Sequence, residues 1–423
     1  MDDSLRRYVR KHSSLTKAWQ AVRANARFST SPYVKEQAED FAGDVRTRIA
    51  SIAAKIHRQT FNFSPSRGVA LPKSGKPGQI RPIVISRTED RIVQRCVLDA
   101  LTATDAIRNQ AFQPYSFGGI PKASKDSLAG VPAAIQQLIE FARQGQTHVM
   151  IADVEGFFTK ISKSRCVDMI KRFTEDEHFL TLFEKSISVD LENAAGLWKF
   201  KDQFPYGDLG VAQGSCLSPF LGNLILSDFD RVMNEGDCRC IRYIDDVIIV
   251  APSGRAASSR FRQASRILKE MGMRFSPDKS SSVPIPFTED FEYLGIQFSK
   301  AGLRPSKRSR RSIELRCKEV AAESLRAIRK AEDPSSFDMQ YSIPRTLNRI
   351  SGMAKGWAHH YSFCDDSNTI RKIDENIMGA YMEYQRRAGD IVKGKGAKMG
   401  AAILGYRGAN EVTYAPSVWP LSL

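Results

Sequence analysis

The stretch Arg239-Cys-Ile-Arg-Tyr-Ile-Asp-Asp-Val-Ile-Ile-Val250 decides how this chain is read. Apolar, β-type residues flank Tyr243-Ile244-Asp245-Asp246 on both sides, so the quartet reads as the turn between two buried strands. Two adjacent carboxylates repel one another and have no place in an apolar core. At a rigid turn they project outwards, where a divalent cation offsets the repulsion. Asp-Asp is also an ordinary turn dipeptide, so the reading needs a second carboxylate.

That carboxylate stands far away in sequence. His148-Val-Met-Ile-Ala-Asp153 reads as a buried strand that leads into Val154-Glu-Gly-Phe-Phe158. A lone Asp after a strand is usually a helix cap. Joining a 3′-hydroxyl to an α-phosphate, however, calls for two metals roughly 3.5–4 Å apart, held by carboxylates from neighbouring strands. Asp153 and Asp245 are suited to that task, with Asp246 as a supporting ligand. One metal lowers the pKa of the attacking hydroxyl, and the other neutralises the departing pyrophosphate.

A third element, Gly210-Val-Ala-Gln-Gly-Ser-Cys-Leu-Ser-Pro219, opens an apolar helix expected over Ser215 to Met233. Gly214 lets backbone approach a flat base pair, Ser215 or Ser218 is placed to cap the helix, and Gln213 can touch an incoming nucleotide. A loop-to-helix junction with no ligand is the plainer alternative.

Composition is that of a globular chain. The 423 residues are 42% hydrophobic and 26% charged, enough for two to four domains. A formal charge of +16 and a pI near 9.5 imply a polyanionic partner. Charge alone does not separate nucleic acid from a membrane. No run approaches the ~18 apolar residues of a span, and the charged opening from Met1 to His12 has no signal core, so a cytoplasmic protein is expected. Seven cysteines with no C-x-x-C pair suggest neither a disulfide framework nor a zinc module, and Cys238 and Cys240 read as core.

Apolar spacing predicts helices between Leu15 and Ile56, a β-hairpin from Phe61 to Ile85 split by Lys73-Ser-Gly-Lys-Pro-Gly, and a helix from Arg87 to Leu101. A helix over Ser258 to Met271 and one strand over Phe291 to Phe298 follow. Residues 300 to 330 hold eleven Lys or Arg against three Glu, half of the chain's excess charge. That segment reads as a surface tracking a phosphate backbone rather than only a solvated helix face.

Taken in order, these segments resemble bacterial reverse transcriptases related to those of group II introns. Leu15-Thr-Lys-Ala-Trp-Gln-Ala-Val-Arg-Ala-Asn25 resembles the family's N-terminal helix. Leu71-Pro-Lys73 through Arg81-Pro-Ile83 and Asp90-Arg91-Ile-Val-Gln94 resemble its fingers blocks. Ser116-Phe-Gly-Gly-Ile-Pro-Lys122 is a looser match to its middle motif. The three palm motifs are matched by Asp153 to Phe158, Gly210 to Pro219 and Tyr243 to Asp246. Gly272-Met-Arg-Phe-Ser-Pro-Asp-Lys279 is similar to the fourth, Phe291-Glu-Tyr-Leu-Gly295 to the primer grip, and Leu347 to Tyr361 to the thumb. Where intron enzymes read Pro-Gln-Gly-Ser-Pro, this chain reads Ala212-Gln-Gly-Ser-Cys216.

The resemblance implies an α+β right-hand polymerase with fingers, a palm with an antiparallel sheet, and a helical thumb. Its divisions are a helical extension over 1–60, fingers over 61–150, palm over 151–300 with an insertion near 160–205, basic thumb over 301–385, and a tail over 386–423. It implies two Mg2+ ions, with Mn2+ as a substitute, on Asp153, Asp245, Asp246 and the Val154 carbonyl. Lys73 and Arg81 grip the triphosphate, Phe158 packs under the sugar and excludes a 2′-hydroxyl, Gln213 meets the nucleotide, and Lys279 gives pyrophosphate a proton. Tyr293, Leu294 and Gly295 form the primer grip, and Lys307, Arg308, Arg310 and Arg311 contact nucleic acid. The implied partners are an RNA template, the RNA–DNA heteroduplex and deoxynucleoside triphosphates, with no membrane.

About forty residues follow the thumb, with no H-x-N-type metal cluster and a flexible basic loop expected at Lys393 to Lys398. The likeness therefore points to a stand-alone antiphage enzyme copying a dedicated non-coding RNA. The alternatives are an intron-type reverse transcriptase or maturase, an RNA-binding splicing scaffold, and an untemplated or protein-primed polymerase using a Tyr or Ser near the tail.

Overall fold

The computed structural model describes residues 4–73, 78–122, 124 and 127–406. The chain divides into two compact units, one ending at Phe287 and one beginning at Thr288. The centre of the Lys73 to Gly78 turn and the end of the tail, with its candidate priming side chains, lie outside the described residues.

The first unit opens with four helices: α1 (Ser4–Arg10), α2 (His12–Arg27), α3 (Pro32–Ala42) and α4 (Val45–His57). Leu15, Trp19, Val22 and Ala26 fall on one buried stripe of α2. Trp19 packs on Phe41 with ring centroids 4.6 Å apart. Pro32 starts α3, where its missing N–H costs nothing, and Asp44 caps α4 by accepting from Thr47 N at 3.2 Å. The expected hairpin follows as β1 (Arg67–Pro72) antiparallel to β2 (Ile80–Ile85). Next come α5 (Thr88–Ala103), α6 (Asp105–Ala111) and α7 (Gly130–Arg143).

Strand β3 (His148–Asp153) is the expected buried strand. It precedes α8 (Phe157–Lys160), α9 (Lys163–Lys171) and α10 (Glu177–Ile187). The helix expected over Ser215 to Met233 is two helices, α11 (Leu217–Ile225) and α12 (Ser227–Met233), parted at Leu226, whose ψ of 7° departs from the helical range. Then come β4 (Arg239–Tyr243), β5 (Asp246–Ala251), α13 (Gly254–Glu270) and β6 (Ile285–Pro286). The sheet order is β4-β5-β3-β6, with every pairing antiparallel. Its side chains join one core with α5, α11 and α13, and Cys238 and Cys240 are buried there as expected.

The second unit begins with a three-stranded antiparallel sheet: β7 (Phe291–Tyr293), β8 (Ile296–Ser299) and β9 (Gly302–Pro305). The single strand expected over Phe291 to Phe298 is therefore a hairpin. It reverses at Leu294 and Gly295, with φ of 50° and 78°, which pairs Phe291 with Phe298. Long helices α14 (Lys307–Lys330), α15 (Ile343–His360) and α16 (Ser367–Lys393) share a core with α17 (Ala397–Ile403). The Lys393 to Lys398 stretch is not a free loop: Lys395 Nζ donates to the carbonyls of Arg329 and Ala331 at 2.9 and 2.6 Å, satisfying the end of α14. No helix among the described residues is long and apolar enough to cross a membrane.

Candidate active site

Register brings the carboxylates together. Asp153, the last residue of β3, pairs with Asp246, the first of β5, which in turn pairs with Tyr243 at the end of β4. Ile244 and Asp245 form the two-residue turn between β4 and β5. Asp245 accepts Val154 N on its main-chain oxygen at 2.9 Å, while Asp153 O accepts Ser276 N at 2.7 Å. The segments around Asp153, Asp245 and Ser276 are thus tied at the backbone.

Electrostatics agrees with this convergence. Burial raises the Asp246 carboxyl to about 7, and the neighbouring Asp245 and Asp153 charges add to the rise. Burial raises Asp245 too, with Asp153 reinforcing it and Lys279 and Arg81 opposing it. Lys279 Nζ stands 2.8 Å from Asp153 Oδ2.

The turn itself is strained. Ile244 has φ of +60°, a conformation β-branched side chains rarely adopt. Arg242, fully buried in β4, holds it in place. Its guanidinium donates to Asp230 at 2.7 and 2.5 Å, to Asn223 Oδ1 at 3.0 Å and to the Ile244 carbonyl at 3.0 Å. Burial pushes the Asp230 carboxyl up, and the paired guanidinium opposes that. Asn223 also donates to Gly118 O at 2.9 Å, and Phe117 N donates to Arg242 O at 2.9 Å. Gly118 lies so close that a Cβ on it would stand 2.6 Å from Ile244 Cγ1 and 2.7 Å from its nitrogen. The loosely matched segment from Ser116 thereby packs directly against the turn.

Other predicted residues gather on one cavity of about 790 Å³, lined in part by Phe158, Gln213 and Gly214 with Phe28, Arg91 and Arg95. Gln213 lies beside β2, its carbonyl accepting Val84 N at 2.9 Å. Gly214 has φ of +114°, and a Cβ there would stand 3.0 Å from Val84 O, so glycine is required twice over. Ser215 Oγ accepts Leu217 N at 3.2 Å, whereas Ser218 donates to Ala212 O at 2.6 Å and does not cap α11. Lys73 and Arg81 are exposed at the ends of the hairpin strands. Phe158 is half-buried, and Phe157 is core.

In the second unit, Leu294 and Gly295 form the β7–β8 turn, and a Cβ on Gly295 would lie 3.3 Å from Tyr361 Oη. Ser309 bonds to Tyr361 Oη at 2.7 Å and to Trp357 Nε1 at 3.0 Å. Lys307, Arg308 and Arg311 are exposed on the first turns of α14, and Arg310 is half-buried.

The reading of the sequence missed Arg242, Asp230, Asn223 and Gly118. An arginine inside an apolar strand run was the available signal. Among the described residues, no three His, Cys, Asp or Glu side chains already form a metal-ligand group. The donor types nevertheless fit a hard cation: register sets Asp153 opposite Asp246 beside the turn that bears Asp245, burial and then the neighbouring carboxylates raise Asp245 and Asp246, and an ammonium already rests on Asp153.

The described geometry can be set beside known proteins. Residues 71–298 match the family model "Reverse transcriptase (RNA-dependent DNA polymerase)". Protein YkfC of Escherichia coli is 26% identical over 55% of this chain and 66% of its own length. The group II intron-encoded protein LtrA of Lactococcus lactis is 22% identical over 63% of this chain and 41% of its own. The chain thus spans less than two thirds of either relative. A solved structure of telomerase from Candida tropicalis aligns over 58% of this chain and 55% of that one, with 13% identity and a TM-score of 0.39. The family match takes in the end of β1, all of β2, the four-stranded sheet and the turn bearing Asp245; because it covers more than half of the sequence, this chain belongs to the reverse transcriptase family and has its α+β right-hand polymerase fold.

Proposed function

We propose that this protein is an RNA-directed DNA polymerase whose catalytic carboxylates are Asp153, Asp245 and Asp246. The carrying observation is the cross-strand pairing of Asp153 with Asp246 beside the turn that bears Asp245. Two divalent ions, Mg2+ or Mn2+, held by these side chains and the Val154 carbonyl, would activate the 3′-hydroxyl and offset pyrophosphate charge. Arg81, already felt by Asp245, and Lys73 bind the triphosphate. Phe158 and Gln213, which share a cavity wall, hold the sugar and base, and Phe158 disfavours a 2′-hydroxyl. Lys279 carries a proton for the leaving pyrophosphate.

In this reading 1–60 is an extension, 61–150 the fingers, 151–300 the palm, 301–385 the thumb and 386–423 a tail. The turn at Tyr293, Leu294 and Gly295 is the primer grip. Lys307, Arg308, Arg310 and Arg311 follow the backbone of an RNA–DNA duplex, whose A-form shape the protein reads in preference to sequence. Its template is a cognate non-coding RNA and its role antiphage defence, a finer reading supported by the resemblance to stand-alone bacterial enzymes.

Sequencing the RNA and DNA that co-purify with the tagged protein tests this, with Asp245→Ala/Asp246→Ala as control. A discrete RNA in both samples, with complementary DNA in wild type only, is expected. RNA with no aspartate-dependent DNA overturns the polymerase in favour of a scaffold. DNA with no RNA complement overturns templated copying.

A further inference from the structure

Residues 158–164, from α8 into the start of α9, and residues 205–211, which lead to Gln213, run antiparallel. Val211 N donates to the Phe158 carbonyl at 2.8 Å, Gly210 N to that of Ile161 at 2.8 Å, and Lys163 N to that of Asp208 at 3.0 Å. Gly210 has φ of +92°, and a Cβ on it would stand 2.8 Å from Pro205 Cβ, so glycine is what lets the loop double back this closely. Phe158 and Gln213, at one end of this zipper, line the same cavity.

Lys163 fastens the other end. It is only 7% exposed, rare for a lysine, and its Nζ donates to the carbonyls of Pro205 and Gly207 at 3.0 and 2.6 Å. Burial pushes the ammonium's pKa down, and the Asp208 charge opposes that. Asp208 itself accepts Ser162 Oγ at 2.9 Å and Ser164 N at 2.7 Å, closing the same loop from its outer side. An apolar side chain would fill this space without desolvating a charge. What the ammonium adds is a fixed place for two carbonyls.

We infer that Lys163 is a positioning residue for nucleotide selection: by anchoring Pro205 and Gly207 it keeps Val211 bonded to Phe158, and so holds the Phe158 ring at the cavity wall it shares with Gln213. The inference rests on the reading of Phe158 as the side chain that disfavours a 2′-hydroxyl. Without Lys163 two carbonyls lose their partner, and the loop shifts towards water with the Val211–Phe158 rung attached. A displacement of about 1 Å in such a wall is enough to blunt discrimination.

Single-nucleotide incorporation of dGTP against GTP by the full-length protein, on poly(rC) primed with oligo(dG), tests this. Lys163→Met should cut the deoxy-over-ribo preference about tenfold and raise KM for dGTP, with kcat within about twofold of wild type. Asp208→Ala, which loosens the loop without touching its buried face, should cut the preference about threefold and decides the matter if Lys163→Met does not fold. Phe158→Ala/Lys163→Met should discriminate no worse than Phe158→Ala alone, because both act through one ring. A lower melting temperature with wild-type preference in both loop variants makes Lys163 merely structural and overturns the inference, as does additivity in the double variant. If Phe158→Ala itself keeps the wild-type preference, or the wild type incorporates neither nucleotide, the underlying reading fails and the inference with it; loss of preference in Phe158→Ala alone sinks only the role of Lys163.

Discussion

One guanidinium nitrogen of Arg242 bonds both to the Ile244 carbonyl and to Asn223 Oδ1, each at 3.0 Å, so a single buried cation fixes the strained turn that presents Asp245 and Asp246. Removing that cation strands the Asp230 carboxylate, which is 4% exposed. Arg242→Met should therefore cost about 3–5 kcal/mol, read from denaturant midpoints. Arg242→Met/Asp230→Leu should recover much of that stability. DNA synthesis should stay low in both variants, because neither restores the bond to Ile244.

Gly118 tests the same turn from its other side. A methyl group there meets the Ile244 nitrogen, a backbone atom that can yield only if the turn shifts. Gly118→Ala should destabilise by about 1–3 kcal/mol and lower kcat more than it raises KM for the nucleotide. A wild-type kcat would show that the turn tolerates displacement.

Asp90 gives a pH prediction apart from the carboxylate site. Burial raises its carboxyl to about 7, while Ser64 N donates to it at 3.1 Å. A raised acid favours the fold below its unfolded pKa of about 3.9, and that advantage is lost as the pH climbs towards 7. Asp90→Asn keeps an acceptor for Ser64 and removes the titration. Its melting temperature relative to wild type should rise between pH 4 and 7, by up to about 4 kcal/mol in stability. A constant difference across that range would show that Asp90 titrates normally.

Cation binding can be read without turnover. Mg2+ or Mn2+ should raise the wild-type melting temperature, since a ligand that binds only the folded state stabilises it. EDTA should reverse the gain, and Asp245→Asn/Asp246→Asn should abolish it. An equal rise in that variant would place the bound cation elsewhere.

Lys395 offers a test in the second unit. It closes two carbonyls at the C-terminal end of α14, so Lys395→Ala should cost about 1 kcal/mol in thermal stability. Because it lies on the opposite end of α14 from Lys307 and Arg308, RNA binding through those residues should be unchanged.

Local periodicity carried much of the architecture. Alternating and continuous apolar runs marked β3, β4 and β5, Gly and Pro marked the β1–β2 turn, and the placement of Asp153, Asp245 and Asp246 at strand ends followed from the same pattern. Those features are properties of neighbours along the chain. The bend at Leu226 and the reversal at Leu294 escaped notice because an apolar run reads alike whether it continues or turns back.

What only the tertiary structure decided is the register that sets Asp153 opposite Asp246 and the long-range contacts that hold Ile244 in its unfavourable conformation. Arg242 reads in sequence as an interruption of a strand; its partners Asp230 and Asn223 come from separate helices, and Asn223 is tied in turn to Gly118, which lies more than a hundred residues from Arg242. A buried charge becomes intelligible only when those partners are in place, because its desolvation is offset by distant groups that no local spacing reveals.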